Sequence, residues 1–256
     1  MSKVRTLVLR APGTNCDGET VFAFEQAGAQ VSLVHVNQLI RGEQRLADYQ
    51  IMVIPGGFTY GDDIAAGKVL ANELRLKLGG DITKFVEKGG LILGICNGFQ
   101  VLVKAGILPR SANGGPPLVT LMTNDSSKFE CRWIHLKVNR KSPCVFTRGV
   151  DRMYLPVAHA EGKVVADPNV LPELDVVLYY TDEYGNSNAG YPYNPNGSVG
   201  NIAGICDASG RVFALMPHPE RYIRGTQHPQ WTRCGAKQYG DGFPIFLNAV
   251  KWAQGL

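Results

Sequence analysis

Several functional classes are excluded by what this sequence lacks. It has no run of lysine or arginine, no apolar stretch near the roughly 18 residues a membrane-spanning helix needs, and no C-x-x-C cysteine pair. The 26 basic and 22 acidic residues leave a net charge of +4 scattered along the chain, which fits a solvated surface better than a nucleic-acid footprint. Six cysteines, at 16, 96, 131, 144, 206 and 234, read as free thiols of a reducing compartment. The opening residues Met1 to Arg5 carry no apolar leader, so a cytoplasmic protein with no membrane and no nucleic-acid partner is expected. Repeats, low-complexity segments and composition breaks are also missing, so one domain spanning 1–256 is expected.

Two imitations of ligand motifs fail on spacing. Cys131 and His135 lie in a run that reads as a strand, where residues four apart are too distant to share an ion, so no metal site is expected. The stretch Gly61 to Lys68 resembles a phosphate loop, but five residues separate its glycines and Val69 stands where Ser or Thr belongs. Asp62 and Asp63 would also repel phosphate. No cofactor or nucleotide is expected on this chain.

What is present is an alternation of strand and helix patterns. Residues 4–9, 31–36, 51–54 and 91–95 read as strands; 18–28, 64–78 and 82–86 read as helices, the first closed by Gly28. This order implies a parallel sheet covered on both faces. An irregular stretch, 109–117, ends that half. The second half is more β-like, with short runs at 118–122, 131–138, 153–157, 176–180, 202–206 and 212–216. A closing helix spans 241–253, with Asp241 as its cap and Pro244 in its first turn. The fold class expected is a flavodoxin-like, doubly wound, mostly parallel α/β sheet with a nucleophile elbow and added antiparallel strands in the C-terminal half.

The elbow is the stretch 90–100. An apolar strand ends at Cys96 and helical periodicity begins at once, with Gly94 and Gly98 two residues to either side. That spacing is the G-x-S-x-G arrangement with cysteine in place of serine. The helix N-terminus would favour the thiolate. A cysteine ending an apolar strand is also commonly a small core residue, so the reading depends on a base. Met216-Pro217-His218-Pro219-Glu220 follows another apolar strand. In an extended segment, positions two apart face the same way, and Pro219 stiffens it, so Glu220 can orient His218. The bland alternative is a packed histidine with a surface glutamate beside it. Pro55-Gly56-Gly57-Phe58 follows a third strand; the N–H groups of Gly57 and Asn97 could form an oxyanion hole, although a Gly-Gly there can equally be a tight turn.

Together, Pro55-Gly56-Gly57, Gly94 to Gln100 and Pro217 to Glu220 resemble the class I, triad-type glutamine amidotransferases. Six ordered motifs narrow this: Pro55 to Asp62, Cys96 to Gln100, His159 to Gly162, Asn194 to Ser198, Ile202 to Ile205, and Met216 to Arg221. They resemble the glutaminase subunits of phosphoribosylformylglycinamidine synthase, from about residue 4 to the closing helix. The resemblance implies hydrolysis of L-glutamine to glutamate and ammonia through a cysteinyl thioester on Cys96. His218 would move protons, Glu220 would orient it, and Gly57 and Asn97 would hold the oxyanion. It also implies that Gln100 and Phe58 help bind glutamine, while His159 and Glu161 contact glutamine or shape a partner interface. The partner implied is the synthetase subunit, which uses ATP and Mg to make formylglycinamidine ribonucleotide in purine biosynthesis, with or without a small third subunit. Two departures stand out: Ala160 replaces a usual glycine, and 224–240 is longer than in short forms, which puts His228 outside the triad.

Two other readings compete. Cysteine-elbow hydrolases and glyoxalases place a histidine beside the cysteine, where this chain has Asn97. A degenerate regulatory subunit would lack a triad member, and all three are present.

Overall fold

Apolar runs without alternation set the centre of the sheet. In the computed structural model, which describes residues 3–109, 118–188 and 190–255, three short parallel strands are buried at every position: β3 (Ile51–Ile54), β4 (Leu91–Ile95) and β11 (Val212–Leu215). A strand buried on both faces has no use for polar alternation. All but the first residue of the expected irregular stretch 109–117 lies outside the described residues.

The remaining elements are β1 (Arg5–Arg10), α1 (Asp17–Gln26), β2 (Gln30–His35), α2 (Val36–Ile40), α3 (Lys68–Glu73), α4 (Gly79–Glu87) and α5 (Asn97–Lys104). These are followed by β5 (Val119–Met122), β6 (Glu130–Val138), β7 (Arg152–His159), β8 (Lys163–Ala166), β9 (Asp175–Thr181), β10 (Ile202–Cys206), α6 (Trp231–Cys234) and α7 (Phe243–Ala253). Nine strands form one sheet in the order β2-β1-β3-β4-β11-β10-β9-β6-β7, and β5 pairs with β8 separately. The pairings from β2 through β11 are parallel; those from β11 to β7 are antiparallel. The mixed sheet agrees with the expected fold class.

Register brings three strand ends to one edge. Ile54 of β3 lies opposite Gly94 of β4, and Ile95 lies opposite Leu215 of β11. The chain leaving β3 is Pro55-Gly56-Gly57, the chain leaving β4 is Cys96, and the chain leaving β11 reaches His218. Carboxyl ends of adjacent parallel strands are where such folds assemble sites. Helix α5 fits against this edge because Gly98 has no side chain: a Cβ there would lie 2.0 Å from the Ile54 carbonyl oxygen. Helices α1 and α7 are joined by an edge-on contact of Phe24 with Phe246, ring centroids 5.0 Å apart.

The structure departs from the sequence reading at several places. The helix expected over 64–78 begins only at Lys68, because Ile64 and Gly67 take left-handed φ values of 71° and 72°. Helices α2 and α6 and strand β8 are additional. Asp241 does not cap α7. Gly242 holds that position, while the Asp241 carboxylate accepts from the Tyr154 N–H at 3.0 Å and pairs with Lys237 at 2.6 Å. Pro244 sits in the first turn of α7 and Gly28, with φ 92°, closes α1, both as expected. Among the described residues, no helix is long and apolar enough to cross a membrane.

Candidate active site

Cys96 is the bend itself. Its backbone has φ 51° and ψ −104°, a conformation that costs a non-glycine residue about 1–3 kcal/mol and persists only when its surroundings enforce it. The Cys96 N–H donates to Leu215 O at 2.8 Å, and the Cys96 carbonyl accepts from Phe99 and Gln100 N–H groups at 2.9 and 3.2 Å. The neighbouring strand and the new helix therefore hold it from both sides. The flanking glycines permit close packing instead of making the bend: a Cβ at Gly94 would lie 2.8 Å from Gly98 O, and Gly98 rests on Ile54. The thiol sits at the N-terminus of α5, 3.7 Å from Ala158 O.

His218 enters from β11 with its own N–H bonded to Pro156 O of β7 at 2.9 Å. The segment after it is not extended as expected. Pro219 to Arg221 form a 3-10 turn, which brings Glu220 Oε1 to 2.6 Å from His218 Nδ1. Both side chains are buried. With Nδ1 paired to the carboxylate, Nε2 is the ring atom left over, and it has no hydrogen-bond partner. Burial opposes a charged imidazole, but the Glu220 carboxylate, then Cys96 and Cys16, outweigh it and hold the His218 pKa well above its ordinary value.

Gly57 has φ 152°, and a Cβ there would lie 2.7 Å from Gly13 O and 2.8 Å from Asn15 N. The loop after β1 clamps this turn. Phe58 N–H donates to Gly13 O at 2.9 Å and Tyr60 N–H to Pro12 O at 2.7 Å, while Gly56 O accepts from Cys16 N–H at 3.1 Å. Neither Gly57 N–H nor Asn97 N–H donates to a loop or turn carbonyl of the described residues, so both amides are available to a ligand.

The remaining expected site residues line the same edge in different ways. The Asn97 side chain accepts from Thr59 Oγ1 at 2.7 Å and donates to Gln100 Oε1 at 2.8 Å. Gln100 in turn donates to Glu161 O at 2.5 Å, and the Glu161 carboxylate meets Lys104 at 3.4 Å. Gln100 thus ties α5 to the loop after β7. Phe58 is 45% exposed and faces Phe129 at 6.5 Å between centroids. His159 is buried, with Nδ1 3.2 Å from Asn124 Oδ1 and Nε2 without a partner. Burial, reinforced by His218 nearby, pushes its pKa down to about 4, so it is a neutral ring. His228 lies elsewhere, among Trp133, Tyr154 and Tyr222.

Three residues at the site escaped the sequence reading: Asn124, Arg221 and Cys16. Cys16 Sγ lies 4.0 Å from His218 Nδ1 and 3.1 Å from an Arg221 guanidinium nitrogen. The rule that loops at carboxyl strand ends converge could have placed the 11–17 loop here. Cys16, His218 and Glu220 also form the one cluster of metal-ligand type among the described residues, with ligand atoms within 4.8 Å of one another. It suits a cation poorly. At 2.6 Å, His218 Nδ1 and Glu220 Oε1 leave no space for an ion between them, and the Arg221 guanidinium already occupies the sulfur.

Comparison with known proteins defines the class. Residues 3–253 match the CobB/CobQ-like glutamine amidotransferase domain, and the chain belongs to that family. Its relatives are more specific. The phosphoribosylformylglycinamidine synthase subunit PurQ of Dehalococcoides mccartyi is 60% identical over 254 residues, covering 99% of each chain. The subunit PurQ of Methanococcus maripaludis is 44% identical, covering 97% of each. A chain of the solved PurLQS structure from Thermotoga maritima is 34% identical and superposes with a TM-score of 0.75, covering 98% of this chain and 99% of that one.

Proposed function

We propose that this chain is the glutaminase subunit of phosphoribosylformylglycinamidine synthase and hydrolyses L-glutamine through Cys96. The observation that carries the reading is the pairing of ends: a strained thiol elbow on β4 beside a His–Glu pair, 2.6 Å apart, leaving β11. With His218 protonated, the Cys96 thiolate attacks the side-chain carboxamide carbon of glutamine. A C–S bond forms, and the carbonyl oxygen takes up the electron pair within reach of the Gly57 and Asn97 amides. Collapse expels ammonia, which takes its proton from His218 Nε2. The same nitrogen then removes a proton from water, which attacks the thioester and releases glutamate and the thiolate. Glu220 fixes the tautomer throughout. Phe58, Gln100, His159 and Glu161 frame the glutamine subsite, His159 through its open Nε2.

No step needs a group that the chain and water do not supply. ATP and Mg belong to the synthetase subunit, which receives the ammonia; a small third subunit completes an assembly like the one in Thermotoga maritima. The whole chain acts as one amidotransferase domain, supported by the nine-stranded sheet that runs through both halves, and works in the cytoplasm.

A second thiol requires a decision, since Cys16 is the sulfur close to Nδ1. That nitrogen is already committed to Glu220, and Cys16 is 1% exposed between its neighbours, so Cys96 is the better nucleophile. Glutamate release by wild type, Cys96→Ala and Cys16→Ala, each with and without the synthetase subunit, tests this. Loss of release in Cys96→Ala alone is expected. Release by Cys96→Ala with none from Cys16→Ala would reverse the assignment, and no release from any form under any condition would sink the glutaminase reading.

A further inference from the structure

The mechanism above makes no use of Cys16, yet its side chain is held by three neighbours. Its sulfur accepts from Arg221 at 3.1 Å, and its S–H points to Asn15 Oδ1 at 3.2 Å. It also touches the catalytic imidazole at 4.0 Å on the Nδ1 side, across 202 residues of sequence. Its backbone N–H holds the Gly56 carbonyl, the first link of the oxyanion turn. Gly56 itself is shaped by this contact: a Cβ there would lie 2.8 Å from His218 Cε1 and 3.1 Å from Cys16 Sγ. Backbone and side chain of one residue therefore meet both halves of the chemical machinery.

Two properties suit a thiol to this position. Sulfur is large and polarizable, so it fills the space beside the ring while keeping a donor and an acceptor. Its neighbours already use both capacities, Asn15 taking the proton and Arg221 giving one. Arg221 follows Glu220 directly, so anchoring the guanidinium on Cys16 also anchors the turn that carries the carboxylate. The groups facing His218 from all sides are then Glu220 on its own turn, Cys16 with Arg221 behind it, Cys96 on the elbow and His159 from β7.

We propose that Cys16 is a positioning residue for glutamine hydrolysis: through Arg221, His218 and Gly56 it locks the imidazole against the oxyanion turn so that Nε2 faces Cys96. This rests on the glutaminase reading above. It assigns Cys16 no bond to substrate and no covalent step.

The test uses the full chain with its synthetase subunit, comparing wild type, Cys16→Ala, Cys16→Ser and Cys96→Ala. Cys16→Ala should lower kcat about tenfold with KM nearly unchanged, the cost of a misplaced base. Because Cys16 helps keep His218 protonated, the limb of the pH–rate profile that reports the imidazolium should move to lower pH in this variant. Cys16→Ser, whose hydroxyl can still donate to Asn15 and accept from Arg221, should recover kcat to within about threefold of wild type and restore the limb. A thermal melt on each form separates geometry from folding. An unchanged profile in Cys16→Ala would overturn the proposal, as would Ser and Ala variants equally impaired with no movement of the limb. Should Cys96→Ala keep releasing glutamate, the assignment of Cys96 as nucleophile falls; no release from any form would end the glutaminase reading itself. A dead Cys96→Ala beside a fully active Cys16→Ala removes the positioning role alone.

Discussion

His218, just past β11, and His159, the last residue of β7, are both buried, each with Nδ1 engaged and Nε2 without a partner. They differ in what Nδ1 meets. For His218 it is a carboxylate at 2.6 Å; for His159 it is the amide oxygen of Asn124 at 3.2 Å. Burial pushes both rings toward neutrality, and only a full negative charge overcomes it. One imidazole is therefore held protonated while the other falls to about 4. The lesson is that burial sets the default and the Nδ1 partner sets the exception. That difference supports the proposed role of His218 in proton transfer and leaves His159 a neutral, shape-defining surface.

The comparison can be broken most severely at Glu220. Replacing it with Gln keeps the size but removes the charge that holds His218 protonated and the acceptor that fixes its tautomer. We expect glutamate release to fall on the order of 10³-fold or more, as for other triads that lose their carboxylate. An NMR titration of the ring should show its pKa lowered; an unchanged titration would mean that Glu220 is not the controlling charge.

A smaller effect concerns stability. A ring whose pKa is about 4 when folded and near 6.5 when unfolded takes up its proton first in the unfolded chain. Stability is therefore undiminished above pH 6.5 and declines as the pH falls from 6.5 to 4, by about 3 kcal/mol for this group alone. His218 has the opposite sign: its raised pKa stabilises the fold fully below the unfolded value and loses that contribution as pH rises through the folded one. His159→Gln should flatten the acid-side decline in urea denaturation, measured as a difference from wild type. Parallel curves would refute the assignment.

The mildest change converts one environment toward the other. Asn124→Asp places a carboxylate beside His159 Nδ1 and should raise that ring's titration by roughly 1–3 pH units, readable by NMR. A ring that still titrates near 4 would show that desolvation dominates even beside a charge.

How much of this could be read from sequence varies with how local the cause is. Strands at 51–54 and 91–95 were legible to the residue, because all-apolar runs bounded by turn residues have few other uses. The elbow and the His–Glu pair were legible as motifs, although the geometry joining His218 to Glu220 turned out to be a 3-10 turn and not an extended segment. The start of α3 was missed because left-handed residues at Ile64 and Gly67 hold the chain off the helix, and Gly67 sits where a Cβ would meet Val101. Asp241 looked like a cap, but tertiary partners took its carboxylate. Cys16 and Asn124 carry no local signature; their roles arise from contacts 202 and 35 residues away.

The sheet order has a consequence for how the chain is made. Strand β11 comes last among the described strands, yet it occupies the gap between β4 and β10. On a growing polypeptide, β4 is therefore complete long before its second neighbour exists, an all-apolar strand with one open edge through the whole synthesis of β5 to β10. Open edges of that kind recruit other chains, so this is the stage at which the protein is most prone to aggregate. The same delay keeps the thiol harmless. In the roles proposed for Cys96 and His218, the thiol gains its base only when β11 slots into the gap, so turnover would begin in the step that seals the sheet, and a half-finished chain would have no means to consume glutamine.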